Sequence, residues 1–412
     1  MSEILIRNAR LLDTLEGKLT SGMDIRIDGE LIVEVGSGLN ASAGTTVYDA
    51  NGRVVMPGLI DAHVHSMAAV NDHMLLACLS PYLVAAHAKE NLASMLRRGF
   101  TSVRDAGGAE GGLAEASRLR LFESPRLFVA GLALAVTAGQ GDFRRRPEHT
   151  MGCPMCRSTR TISRTVDGVD EIRKAVREEI MSGASQIKVM ASGGNSGNFH
   201  IETPHFTEEE LRTMVTEARS FGKYVMAHAY GVTAIRRAVD AGVRTIEHGN
   251  LIDEETAKYI ADKAYVVPTL TTYEAGIKHA PDFKTKPHIV EQIKDVLERG
   301  TAALRMMRNV GVKLGFGTDL EGICNPYQLR EFALRTRGGE TTSEILHSAT
   351  IVNAEILQME GKLGVLKPGA LADLLIVDGN PLEDLGLFQE DGSNIKLTMV
   401  NGHVYKDSLP TN

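Results

Sequence analysis

Five segments of this 412-residue chain share one build, and their repetition limits the fold more than any other feature: a short apolar strand carries a metal-ligand type of residue in it or at its far end. The first is Pro57-Gly58-Leu59-Ile60-Asp61-Ala62-His63-Val64-His65. The others are Ser185-Gln186-Ile187-Lys188-Val189-Met190, Tyr224-Val225-Met226-Ala227-His228, Thr245-Ile246-Glu247-His248 and Val312-Lys313-Leu314-Gly315-Phe316-Gly317-Thr318-Asp319, each preceded by a helical pattern and a glycine. Side chains alternate across a strand, so His63 and His65 face the same way, a pairing that suits a zinc-like ion. A lone histidine on an apolar strand is more often a hydrogen-bonded core residue. Six ligand-type residues on five similarly placed strands make coincidence a poor account.

The middle of the chain alternates strand and helix throughout. Strands are expected at 59–64, 102–105, 127–130, 186–190, 224–227, 244–247, 265–270 and 313–317. The helices between them have recognisable ends: Thr207-Glu208-Glu209-Glu210 has capping-box spacing, and Gly99, Gly183, Gly222, Gly242 and Gly311 stand where left-handed stops belong. Eight such alternations favour a (β/α)8 TIM barrel over a doubly wound sheet, and ligands at the carboxyl ends of strands add weight, because that face of such barrels carries the chemistry. Both ends of the chain read as β instead. Residues 4–55 form an expected antiparallel meander, and 372–379 with 396–405 a matching β region. The expected division is a small β domain from 1–56 and 360–412 around a barrel at 57–359.

Composition narrows the function classes. With 43% hydrophobic residues the chain buries a large core, while a net charge of −7 offers no basic field for nucleic acid or an anionic membrane surface. No apolar run approaches the ~20 residues that span a bilayer. No export signal is visible, and four cysteines in so long a chain agree with a reducing cytoplasm. The expected partners are a small-molecule substrate and, at most, further copies of the same chain in a homo-oligomer.

In this arrangement His63, His65 and Asp319 are expected to hold one divalent ion, and His228 and His248 a second. Lys188 cannot ligate a cation as an ammonium. A buried lysine of lowered pKa can react with carbon dioxide to give a carbamate, an anion able to bridge two metals. Tyr230, two residues past His228, is placed to point into the same cavity.

This ligand set resembles that of the binuclear amidohydrolase superfamily, and the likeness runs over nearly the whole chain. Leu59-Ile60-Asp61-Ala62-His63-Val64-His65, Gln186-Ile187-Lys188-Val189-Met190-Ala191-Ser192-Gly193-Gly194, Ala227-His228-Ala229-Tyr230 and Thr245-Ile246-Glu247-His248-Gly249-Asn250 look most like the prolidase-like branch and its relatives that cleave before C-terminal Arg or Lys. The resemblance implies a barrel flanked by a small β-sandwich built from both termini, two Zn2+ ions, a carbamate on Lys188 formed from CO2, and amide hydrolysis by a metal-bridging hydroxide. Asp319 would move the proton to the leaving nitrogen, and Tyr230 would donate its O–H to the carbonyl oxygen or substrate carboxylate. Members of that branch often carry a histidine in the turn after the third strand, where this chain reads Thr137-Ala138-Gly139-Gln140-Gly141-Asp142. Gln140 donates and accepts hydrogen bonds but carries no charge, so substrate preference stays open between a dipeptide and an N-acyl amino acid.

Other assignments compete with this one. The same metal centre serves other amides, carbamates or lactams, including xenobiotic ones. A silent scaffold barrel usually loses ligands, and a mononuclear deaminase leaves Lys188 without a task. Cys153-Pro154-Met155-Cys156, near His149, lacks the second pair a structural zinc needs and reads as two reduced loop thiols. Arg144, Arg145, Arg146, Arg157, Arg160 and Arg164 make the loop at 137–165 basic, either a carboxylate clamp or a solvated face. The long loops at 137–165 and 191–206 both leave the expected catalytic face.

Overall fold

The computed structural model describes residues 3–144, 161–194 and 200–410. The loop thiols Cys153 and Cys156, with His149, Arg145, Arg146, Arg157 and Arg160, lie outside the described residues.

The two β-rich ends join in one eight-stranded sheet. The N-terminal strands are β1 (Ile4–Asp13), β2 (Lys18–Asp28), β3 (Leu31–Gly36), β4 (Thr46–Asp49) and β5 (Val54–Pro57). The order in the sheet is 374–377 between β5 and 395–400, then 403–407 at one edge and β3 at the other, with β4 on β1. β1, β2 and β3 form the expected antiparallel meander. β4 and β5 instead return parallel to β1. Alternate residues, among them Ile6, Ile25, Ile27, Val55, Leu374, Ile376, Leu397 and Met399, pack into one apolar core, which is how a half-buried sheet uses its period of two.

β5 runs through Gly58 straight into the parallel part. There the strands are β6 (Leu59–Val64), β7 (Phe100–Asp105), β8 (Arg126–Phe128), β9 (Ala133–Ala135), β10 (Ser163–Thr165), β11 (Ile187–Met190), β12 (Val225–Gly231), β13 (Thr245–Leu251) and β14 (Tyr265–Val267). β6-β7-β8 form one parallel sheet, and β10-β9-β11-β12-β13-β14 a second. Every residue of β12 and β13 is buried, as strands covered on both faces are. The helices end as their sequences suggest. Thr207 and Glu210 form a capping box, and Gly99, Gly183, Gly222, Gly242 and Gly311 all adopt positive φ between 68° and 96°. Among the described residues no helix is long and apolar enough to cross a membrane.

The expected strand at 313–317 is not a regular strand. Its backbone nonetheless bonds both neighbours: Val266 N to Lys313 O at 3.0 Å and Gly315 N to Val266 O at 2.8 Å on one side, Ala62 N to Phe316 O at 2.8 Å and Asp319 N to His63 O at 2.8 Å on the other. The segment is squeezed. A Cβ on Gly317 would lie 2.5 Å from Val267 Cγ1 and 2.8 Å from His63 Cβ, so only glycine fits there. Asn353 completes the ladder with its side chain, accepting from Phe316 N at 3.0 Å and donating to Ile60 O at 2.6 Å and Phe316 O at 2.8 Å.

Glu331, fully buried on the helix Arg330–Arg337, accepts from Thr271 N at 2.7 Å and is also approached by the backbone of Leu270. Burial pushes its carboxyl up to about 8 from the ordinary 4.5, against the pull of Arg335. Folded protein therefore holds a proton that unfolded chain has released, and stability falls as pH rises from about 4.5 to about 8. Glu331→Gln is expected to flatten that fall, by a few kcal/mol at ~1.4 kcal/mol per pKa unit. Urea unfolding at about pH 5 and about pH 8 reads it; identical pH slopes in both proteins would show that Glu331 is ionised when folded.

Candidate metal centre and active site

Past the carboxyl ends of the parallel strands opens a cavity of about 620 Å3, and all eight candidate residues line it: His63, His65, Gln140, Lys188, His228, Tyr230, His248 and Asp319. His63 follows from the strand period on β6. His248, inside β13, and Asp319 both have left-handed backbone, with φ of 73° and 55°. Non-glycine residues in the left-handed region concentrate at functional sites, where the surrounding structure sustains the strain.

Two imidazoles meet one carboxylate oxygen. His63 Nε2 and His65 Nε2 both lie 3.2 Å from Asp319 Oδ1, and the three side chains form a cluster able to hold a metal ion. The other ring nitrogens are already committed. His65 Nδ1 is 3.0 Å from Gly107 O, and a carbonyl only accepts, so that nitrogen carries the proton. His63 Nδ1 donates to Glu247 Oε2 at 2.7 Å. A neutral imidazole has one proton, so both Nε2 lone pairs face a carboxylate, an arrangement that a cation among them resolves and that metal-binding histidines use. Without an ion the proton is the only substitute. Burial opposes it, but Asp319 and Glu321 outweigh that and carry His65 up to about 9.

The remaining candidates surround this point. His228 donates from Nε2 to Gly193 O at 2.9 Å, leaving Nδ1 as its lone pair, and its ring lies 4.6 Å from that of His248. His248 Nδ1 bonds Thr269 Oγ1 at 2.7 Å. Burial, reinforced by the Lys188 charge, takes His228 down to about 3; burial and His228 hold His248 well below its ordinary range. Both are neutral imidazoles, the form that binds metal. Lys188 Nζ is 3.4 Å from His63 Nε2, and burial takes its amine down to about 8 although Glu247 and Asp319 resist. Tyr230 stacks on His248 with ring centroids 5.0 Å apart and an interplanar angle of 8°. The Gln140 amide packs onto Gly194, where a Cβ would come within 2.8 Å of its carbon.

Two supports escaped the reading of the sequence. Glu247, fully buried, accepts from Arg104 Nη2 at 2.9 Å and from Thr245 Oγ1 at 2.5 Å, and so fixes the ring of His63. Asp61 accepts from Thr318 Oγ1 at 2.6 Å and Gln328 Nε2 at 2.9 Å, tying β6 to the turn that carries Asp319. The signal was parity: Asp61 and His63 are two apart, as are Thr245 and Glu247. In the basic loop, Arg144 bonds Asp142 at 2.6 Å and Arg164 bonds Glu178 at 2.8 Å.

Parallel strands place two histidines and a carboxylate around one point that could hold a metal ion. The chain belongs to the amidohydrolase family, whose model matches residues 54–405. It is 31% identical over 359 residues to ochratoxinase of Aspergillus niger, covering 82% of this chain and 72% of that protein. Among solved structures it is 44% identical to a prolidase complexed with N-methylphosphonate-L-proline, with TM-score 0.94 over 98% of this chain and 100% of that one. A Xaa-Pro dipeptidase with bound methionine is 29% identical, with TM-score 0.84 over 98% and 100% of the two chains. These likenesses place the chain in the prolidase-like branch and support a hydrolase acting on amide bonds.

Proposed function

We propose that this protein is a binuclear zinc amidohydrolase that cleaves a small amide, foremost an Xaa-Pro-like dipeptide or an N-acyl amino acid. The observation that carries this reading is the meeting of the His63 and His65 Nε2 atoms, each 3.2 Å from Asp319 Oδ1, in a cavity that also holds Lys188, His228 and His248. His63, His65 and Asp319 would hold one ion and His228 and His248 the other, with Lys188, as a carbamate, between them. Residues 57–359 would then form a (β/α)8 barrel flanked by a small β domain from 1–56 and 360–412.

When bound, two such ions acidify a water and polarise the scissile carbonyl. Asp319, held well below the usual carboxylate range by His63 and His65 against the effect of burial, is ionised and can take that water's proton. It would pass the proton to the leaving nitrogen, since an amine leaves poorly unless protonated. Burial holds the Tyr230 phenol well above its ordinary range, so it stays a donor toward the carbonyl oxygen. Gln140 would contribute neutral hydrogen bonds to the substrate.

The 31% identity to an ochratoxinase favours a second reading, hydrolysis of another amide, a carbamate or a lactam, including a xenobiotic one. Incubating zinc-loaded protein with a dipeptide library and a set of N-acyl amino acids separates the two. Turnover of Xaa-Pro members is the expected result. No turnover of any member of either set removes the first reading and leaves the second.

A further inference from the structure

The proposed reaction leaves a second phenol in the cavity without a task. Tyr273, on the helix Leu270–Lys278, is 2% exposed, lines the same cavity, and brings its Oη to 2.7 Å from Tyr230 Oη. Both tyrosines pack with Ile201, Leu251 and Val296 in one buried apolar cluster.

A phenol has one proton and two acceptor lone pairs. The Tyr230 ring is held by its stack on His248, so what remains to be set is where its hydroxyl proton points. Tyr273 has Asn250 Oδ1 as an alternative acceptor at 3.4 Å, near the limit of a hydrogen bond, and also lies within hydrogen-bonding reach of the Thr269 hydroxyl. Asn250 is turned that way because its Nδ2 faces Val296 O at 3.4 Å. Once a substrate oxygen gains negative charge it is the better acceptor for Tyr230. The order in which Tyr273 donates to Tyr230 and Tyr230 donates to that oxygen then strengthens both bonds. The helix that carries Tyr273 starts immediately after Thr269, the partner of His248 Nδ1, so one short segment sets both distances.

We propose that Tyr273 is a positioning residue for Tyr230: its O–H, given to Tyr230 Oη, directs the Tyr230 proton to the oxygen that becomes negative as the amide is attacked. This rests on the amide-hydrolase reading of the site. Nothing is transferred from Tyr273.

The test is a double-mutant cycle on zinc-loaded full-length protein with the best dipeptide substrate. Tyr273→Phe is expected to lower kcat about 5- to 10-fold with KM nearly unchanged, the scale of one neutral hydrogen bond. Tyr230→Phe should cost about 100-fold, the scale of one oxyanion donor, and the double variant should match Tyr230→Phe within about twofold. Affinity for N-methylphosphonate-L-proline, by calorimetry, should fall in Tyr273→Phe by the same factor as kcat while affinity for proline, which lacks the tetrahedral oxygens, holds. Placing 3-fluorotyrosine at position 273 should restore kcat, because the hydroxyl returns; this variant also serves should Tyr273→Phe fail to fold. An active wild type with Tyr273→Phe within twofold of it, multiplicative losses in the double variant, or a fluorotyrosine protein as slow as Tyr273→Phe each overturns the inference alone. A wild type that neither cleaves any amide nor binds the phosphonate overturns the functional reading, and this inference with it.

Discussion

Lys188→Ala is expected to give a folded protein that keeps about one divalent ion per chain in place of two and cleaves its amide substrate at least ~10^3-fold more slowly. Loss of charge stabilisation worth several kcal/mol, at ~1.4 kcal/mol per factor of ten, sets that scale. Lys188 is 1% exposed, its Nζ is 3.4 Å from His63 Nε2, and its charge reaches both His228 and His248. It is therefore close to His63 and electrostatically coupled to His228 and His248. An amine lowered to about 8 is free base in part at neutral pH, the form that adds to carbon dioxide and releases a proton to leave an anionic carbamate. Alanine removes that anion and leaves space, so acetate in the assay is expected to restore part of the activity and of the second ion. Metal counting and turnover with and without acetate decide the matter: two ions and undiminished rates in Lys188→Ala would sink the bridging role.

Glu247→Ala is expected to cost about 3 to 5 kcal/mol of stability, because it orphans a charge where no water reaches. Arg104 and Glu247 are both fully buried, and Arg104 is held by Glu247 Oε1 at 2.9 Å, Ala62 O at 2.6 Å and Thr245 Oγ1 at 3.1 Å. Burial raises the Glu247 carboxyl, but Arg104 and the bond to His63 win and hold it down to about 2. The depressed value means this stabilisation is present above the unfolded value near 4.5 and is lost as pH falls toward 2. Glu247→Gln, which keeps the shape and one acceptor, should cost less. Glu247→Ala also frees the His63 ring, so its metal affinity should fall roughly 10- to 100-fold. Urea unfolding and metal titration read the two effects; a Glu247→Ala protein within about 1 kcal/mol of wild type would mean that water or another acceptor satisfies Arg104.

Much of the site was legible because its signals are local. The His63/His65 spacing needs only the period of a strand, the five helix stops need only a glycine, and the Thr207/Glu210 box needs only four consecutive residues. Strand 313–317 was misread for a reason that is not local. Its apolar pattern suits a strand, but it must pass between β14 and β6 on Gly315 and Gly317, with Asn353 supplying part of its hydrogen bonding. His248, named as a ligand from the sequence, departs from simple alternation: its φ of 73° lies in the left-handed region and its side chain lines the cavity. Tyr273 carried no signal, as a tyrosine on a helix reads as core.

By itself the order of residues determined which side chains could serve as ligands and which apolar segments carry them. Only the tertiary structure decided that Asp319 closes on His63 and His65, that Glu247 is held to Arg104, and that Tyr273 meets Tyr230. Periodicity and caps are set by neighbours within a few positions. Hydrogen bonds and charge between remote segments depend on distances that exist only once the strands have packed.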